Sequence, residues 1–108
     1  MEIVWEEQAI RKLKQLTEGK EGYVKLIYDT EDCGCSDDGV STLWFISEPE
    51  GNEIVVETNI GNMLVDKDKL VYMDEEMTVA WVEQFNSFRL KNKNGIINPF
   101  MHFYNWVK

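Results

Sequence analysis

The sequence predicts a mainly β protein with one N-terminal helix, an α+β fold. Only segment 6–17 has the helical spacing of apolar residues, with Ala9, Leu13 and Leu16 separated by four and three positions. After Gly19, short runs alternate apolar and polar residues and are separated by turn-forming residues. Alternation with a period of two is typical of strands that bury one face.

The predicted helix has ordinary signals at both ends. Glu6 and Glu7 stand in its first turn and Lys14 lies nearer its end, an arrangement that complements the helix dipole. Gly19 is a suitable stop. Four predicted strands follow, separated by turn-forming clusters: 23–28, 40–47, 53–57 and 63–65.

The second half of the chain continues this pattern. Asp66 opens a short helix, after which 78–82 and 87–91 are predicted strands and 91–95 a turn. The tail, residues 95–108, is rich in aromatic residues and has no clear period. We expect it to fold back on the sheet and to bury Phe103 and Trp106, because aromatic side chains remove large areas from water.

Length and charge bound the function. The 108 residues are most simply one domain, 1–108, without repeats or linkers. The net charge of −9 argues against a nucleic-acid partner, which would need clustered basic residues. No apolar run is long enough to span a membrane and the first residues do not resemble a signal peptide, so we expect a cytoplasmic protein with reduced thiols.

The two cysteines form the most informative motif. Cys33 and Cys35 are separated by one glycine in a loop between two predicted strands. Such a pair can ligate a soft metal, bind iron of an iron–sulfur cluster, or cycle between dithiol and disulfide. Because a zinc or cluster site wants about four ligands, the loop needs other residues, a second subunit or a partner.

The acidic neighbours of the cysteines allow two interpretations. Asp32 and Asp37 are secondary candidates as oxygen ligands, but a solvated acidic loop is the favoured interpretation. An EF-hand is excluded because the cysteines interrupt the oxygen ligands and Val40 stands where the closing Glu belongs. No phosphate loop, nucleophile elbow or metalloprotease motif is present, so no enzyme is predicted. His102, the single histidine, is expected to pack or to form a hydrogen bond.

Segment 65–74 reads Val-Asp-x-x-x-Leu-x-Tyr-Met-Asp, and two shorter motifs are Glu48-Pro49 and Phe88-x-Leu90-x-Asn92. Together these motifs resemble the HesB/IscA-like A-type proteins of iron–sulfur cluster biosynthesis, with segment 65–74 as the best match. The resemblance implies a compact, twisted β pseudo-barrel, the HesB-like fold. It also implies a cluster-ligand cysteine in the loop after the first long strand, where Gly34-Cys35-Ser36 fits the local pattern and Cys33 fits an ungapped register.

The resemblance fails at the C-terminal end. Carrier members of the family end with a Cys-Gly-Cys motif, whereas the corresponding residues 94–100 contain no cysteine. Two of three family ligands are therefore missing. The resemblance implies an accessory protein that binds iron or a cluster in a labile manner through Cys33 and Cys35, alone or as a homodimer, with assembly proteins or apo-protein acceptors as partners. The alternative is a non-catalytic interaction module that has lost cluster binding and needs no cofactor.

Overall fold

A computed structural model describes residues 1–29, 40–72 and 75–107. In these ranges the chain forms one α-helix, α1 (Glu7–Leu16), and two short 3-10 helices, Lys67–Tyr72 and Glu83–Phe85. The remaining regular structure consists of nine strands: β1 (Glu2–Trp5), β2 (Tyr23–Asp29), β3 (Val40–Ile46), β4 (Glu53–Thr58), β5 (Gly61–Asp66), β6 (Glu76–Val82), β7 (Ser87–Asn92), β8 (Gly95–Met101) and β9 (Phe103–Asn105). The predicted mainly β fold with one N-terminal α-helix is confirmed.

The nine strands form one sheet in the order β8-β7-β6-β1-β4-β5-β2-β3-β9. Antiparallel hairpins join β2 to β3, β4 to β5, β6 to β7, and β7 to β8. Parallel pairing places β1 between β4 and β6, and β9 beside β3. The predicted strands between residues 23 and 92 thus all exist, and their hairpins follow the turn signals in the sequence.

The tail closes the sheet into a barrel-like shape. β8 pairs with β7 at one end of the strand order and β9 pairs with β3 at the other, with only His102 between them. The main-chain N–H of Leu43 donates to the carbonyl of His102 at 2.9 Å, and that of Trp106 donates to the carbonyl of Phe45 at 2.9 Å. One continuous segment therefore belongs to both ends of the sheet.

The core lies inside this curved sheet, and α1 covers part of it with Ala9 and Leu13, which are both buried. Trp5 and Phe88 are nearly inaccessible and pack edge to face, with ring centroids 5.8 Å apart. The indole N–H of Trp5 points at the sulfur of Met63 at 3.1 Å. The polar end of the largest buried side chain is thereby satisfied inside the core.

Strand β1 was not predicted. It has only four residues, too few for a periodic pattern, although Ile3 and Trp5 are buried and the residues next to them are exposed. Its register with β4 stops at Ile3 opposite Thr58, and a side chain then continues the ladder. Asn59 accepts from the N–H of Trp5 and donates to its carbonyl, both at 2.8 Å.

The prediction for the tail was wrong in one respect. The tail folds back, and Phe103 is half buried, but Trp106 is 57 % exposed. The strands β8 and β9 escaped prediction because both of their faces carry apolar residues. Met101 and Phe103 point to the core while Phe100 and Tyr104 point outward, so no alternation of apolar and polar residues is visible.

Candidate functional site

The predicted ligand loop lies outside the described residues. Segment 30–39 contains the cysteines Cys33 and Cys35 and the secondary oxygen candidates Asp32 and Asp37. The assignment of these four residues as ligands therefore stays a prediction. What the structure defines is the place from which the loop departs and to which it returns.

The loop connects the two strands of a fully paired hairpin. β2 and β3 are paired over seven positions, from Tyr23 opposite Ile46 to Asp29 opposite Val40. Segment 30–39 therefore leaves the described structure at Asp29 and re-enters it at Val40, two residues that are paired in neighbouring strands.

The C-terminal segment packs against the same hairpin, at the end from which segment 30–39 departs. The side-chain amide of Asn98 donates to the carbonyl of Ser41 at 2.8 Å and to its hydroxyl at 3.2 Å, and Ser41 is buried. Asn98 also accepts the N–H of Phe100 at 3.1 Å. The structure thus places Asn98, in the C-terminal region where the resemblance expects two ligands, against the first residues of β3.

His102 contributes its main chain to the barrel and its ring to the surface. Its carbonyl accepts from Leu43, while its exposed ring lies 6.2 Å from the ring of Tyr104. Among residues 1–29, 40–72 and 75–107, no group of three or more His, Cys, Asp or Glu side chains is arranged to hold a metal ion. No helix in those ranges is long and apolar enough to cross a membrane.

A charged cluster that the sequence analysis missed lies on the outer face of β2. The ammonium of Lys25 contacts three carboxylates, those of Glu50 at 2.9 Å, Glu53 at 2.8 Å and Asp66 at 2.9 Å. The side chains of Lys25 and Glu53 are each only 3 % exposed. The cluster joins β2, β4, β5 and the turn before β4, and all three carboxylates contact the ammonium.

Hydrogen bonds set the ionisation of this cluster. Burial works to lower the pKa of Lys25, but its hydrogen bonds to Glu53, Glu50 and Asp66 raise that pKa above the ordinary 10.5. The hydrogen bond from Lys25 lowers the pKa of Glu53 to about 2, against burial and with help from the N–H groups of Glu50 and Gly51. Both groups are therefore charged throughout the neutral range.

We expect Glu53 to make the stability of the protein sensitive to acid. Its carboxyl binds a proton more weakly in the folded chain, so its contribution is complete above the ordinary pKa of 4.5 and is lost as the pH falls toward about 2. In Glu53→Gln this part of the pH dependence, on the order of 3 kcal/mol, should be missing from the free energy of unfolding. Urea denaturation at several pH values, followed by tryptophan fluorescence, measures it.

The matched control is Glu57→Gln, which removes an exposed carboxylate from the same strand. Its stability should follow the pH curve of the wild type. If Glu53→Gln also follows that curve between pH 4.5 and 2, the carboxyl of Glu53 is not the group that we describe.

Comparison with protein families and with known sequences finds relatives of this chain. The family model described as "Iron-sulphur cluster biosynthesis" matches residues 1–105. The uncharacterized protein YqkB of Bacillus subtilis (strain 168) is 30 % identical over 94 residues, which are 87 % of this chain and 86 % of YqkB.

Comparison with solved structures finds the same fold. A protein of Lactobacillus salivarius, provisionally assigned to Fe-S biosynthesis, superposes with a TM-score of 0.80 at 20 % identity, covering 98 % of both chains. A similarly assigned protein of Lactobacillus acidophilus gives 0.77 at 15 % identity, covering 97 % of this chain and 90 % of its own. SufA of Escherichia coli, described as involved in biosynthesis of iron–sulfur clusters, gives 0.60 at 16 % identity, with 85 % and 86 % covered.

Proposed function

We propose that this chain, which belongs to the iron–sulfur cluster biosynthesis family, binds iron or an iron–sulfur cluster transiently as cargo. The thiolates of Cys33 and Cys35 are its protein ligands in this proposal. Membership of the family supports a role in iron–sulfur cluster biosynthesis. The place of the Cys-x-Cys pair in the sequence, between β2 and β3, supports the assignment of its two thiolates as ligands. Thiolates are suitable because soft sulfur ligands are those that iron–sulfur clusters use.

The number of thiolates determines how the cargo is held. The C-terminal segment that packs against the β2–β3 hairpin contains Asn98 and no cysteine. One chain therefore supplies two thiolates. A cluster usually has four such ligands, and two chains of a homodimer, or one chain and a partner, would complete the set. Asp32 and Asp37 are weaker candidates, because added carboxylates increase the negative charge around a cluster that is already anionic.

Incomplete ligation would make the cargo easy to transfer. The partners in this proposal are iron–sulfur assembly proteins that deliver the cargo and apo-protein acceptors that take it. No reaction of a substrate bond is involved, so the role is that of an accessory protein and not of an enzyme. We place it in the cytoplasm, where thiols stay reduced and can ligate iron.

A second function is favoured by the tail. Where the resemblance expects a Cys-Gly-Cys motif, this chain has the exposed aromatic residue Phe100, and exposed Tyr104 follows in the tail. Exposed aromatic side chains in place of ligands are what a HesB-like interaction module without cargo would carry. The two functions differ in one measurable property, the formation of iron–thiolate bonds.

We expect the purified protein to be largely free of iron and to acquire a cluster on anaerobic addition of ferrous iron and sulfide. The expected signal is sulfur-to-iron charge-transfer absorbance at about one cluster for every two chains, because four thiolates are needed. Cys33→Ser/Cys35→Ser should remove this absorbance, and an acceptor apo-protein should deplete it from the wild type.

The control is Asp32→Asn/Asp37→Asn, which removes two charges from the same loop and leaves both thiols in place. This variant should keep the absorbance if sulfur is the ligand. Absorbance that survives in the serine variant would show that the ligands lie elsewhere. A wild type that forms no iron–thiolate absorbance would favour the interaction module.

A further inference from the structure

Four aromatic side chains form a continuous strip on the outside of the barrel, which we call the aromatic strip: His102, Tyr104, Trp106 and Trp44. The rings of His102 and Tyr104 are 6.2 Å apart, and those of Tyr104 and Trp106 are stacked at 6.2 Å. Trp44 packs edge to face on Trp106 at 5.5 Å. Tyr104 is 44 % and Trp106 57 % exposed, so both rings are partly open to solvent.

The geometry of the closing segment produces this strip. Met101 is fully buried and Phe103 packs against the core, so the alternate residues of the segment must point outward. Trp44 joins them because it is opposite Tyr104 in the parallel pairing of β3 and β9. The rings contribute little to the core, and contiguous exposed aromatic surface is typical of an interaction site.

Negative charge lies beside the aromatic strip. Lys25 is opposite Trp44 in the pairing of β2 and β3, and its ammonium contacts three carboxylates, so these four groups have a formal charge of −2. The side chain of Glu50, one of the three, is 61 % exposed. Lys20 lies at the end of the tail, where its ammonium donates to the carbonyl of Val107 at 3.0 Å.

We propose that the aromatic strip binds an arginine- or lysine-rich segment of a partner polypeptide. Ring faces attract guanidinium and ammonium groups, and the carboxylates beside Trp44 add long-range attraction for the same cations. As an occupant of this strip, a second copy of this chain offers fewer cations than carboxylates, 11 against 20, so a basic segment of another polypeptide matches the strip better. This inference does not depend on the cysteines, since the strip and the carboxylates exist without any cargo.

The test uses a short fluorescent peptide of alternating arginine and serine as the probe, with fluorescence anisotropy as the readout. We expect saturable binding that weakens as salt is added. Tyr104→Thr/Trp106→Thr should bind about tenfold more weakly, because two cation–π contacts are lost. Threonine keeps the strand propensity, and urea denaturation confirms that the variant is folded.

Four further variants isolate the contribution of the strip. Phe85→Thr/Phe100→Thr removes another exposed aromatic pair, whose rings lie 5.1 Å apart outside the aromatic strip, and it should bind as the wild type does. Glu50→Gln should weaken binding, whereas Glu57→Gln, on β4, should not. Cys33→Ser/Cys35→Ser should bind normally, which separates this inference from the proposed function.

Three results would overturn the proposal. The first is equal binding of the probe by the wild type and by a folded Tyr104→Thr/Trp106→Thr variant. The second is that the wild type binds a peptide with glutamate in place of arginine as well as it binds the probe. The third is a dimer that the same double substitution dissociates in analytical ultracentrifugation, which would assign the strip to a second copy of this chain.

Discussion

Replacing Lys25 by methionine is expected to lower the free energy of unfolding by about 3–5 kcal/mol. The substitution keeps most of the side-chain volume but leaves the carboxylate of Glu53 buried without its ammonium partner. The carboxylates of Glu50 and Asp66 would also repel it at close range. Urea denaturation at pH 7, followed by tryptophan fluorescence, gives the change directly.

Arg11→Ala provides the matched control, because Arg11 forms an ion pair with Glu7 at 2.6 Å in which the side chains are 70 % and 77 % exposed. Its loss should cost no more than about 0.5 kcal/mol. The double variant Lys25→Met/Glu53→Gln should be more stable than the sum of the single changes predicts, since it removes the unpaired charge. A loss below about 1 kcal/mol for Lys25→Met alone would contradict the buried cluster.

Deleting residues 102–108 should have a comparable effect and should open the barrel. The deletion removes β9, the hydrogen bonds to Leu43 and Phe45, and the ring of Phe103 that lies 5.9 Å from that of Phe88. We expect the free energy of unfolding to fall by about 3–5 kcal/mol, because the partly buried ring of Phe103 and the hydrogen bonds of β9 are lost together. Chemical denaturation measures the loss.

The control for the deletion is Tyr104→Thr/Trp106→Thr, which keeps the backbone of β9 and removes only exposed rings. This variant should lose less than half as much stability as the deletion. If the two lose the same amount, the exposed rings, and not the closure of the sheet, stabilise the tail.

Local patterns were sufficient for the middle of the fold and insufficient for its ends. The spacing of Ala9 and Leu13 predicted the helix. The alternation of apolar and polar residues, together with the turn-forming residues, predicted the paired strands from β2 to β7. β1 and β9 are short strands whose position depends on parallel pairing with distant strands, which no local pattern contains. The apolar outer face of the tail concealed the period of β8 and made a buried Trp106 a reasonable but wrong expectation.

Sequence patterns were also sufficient for one part of the candidate site and insufficient for the other. Residue type and spacing alone make Cys33 and Cys35 candidates, because a Cys-x-Cys pair has few chemical uses, and their role as ligands stays a prediction. The Lys25 cluster could not be predicted, since a lysine at an outward strand position normally reaches solvent. Its burial depends on the register that brings Glu53 and Asp66 together across β4 and β5. Contacts between strands decide such a cluster, and they follow only from the fold.

Anaerobic native mass spectrometry of the reconstituted protein tests the proposed cargo site most directly, since it reports the number of chains and of iron and sulfide atoms together. If Cys33 and Cys35 are the ligands, the wild type should carry its cluster on a species of two chains, and Cys33→Ser/Cys35→Ser should give only metal-free protein. A cluster that stays on one chain, or one that survives replacement of both cysteines, would contradict the proposal.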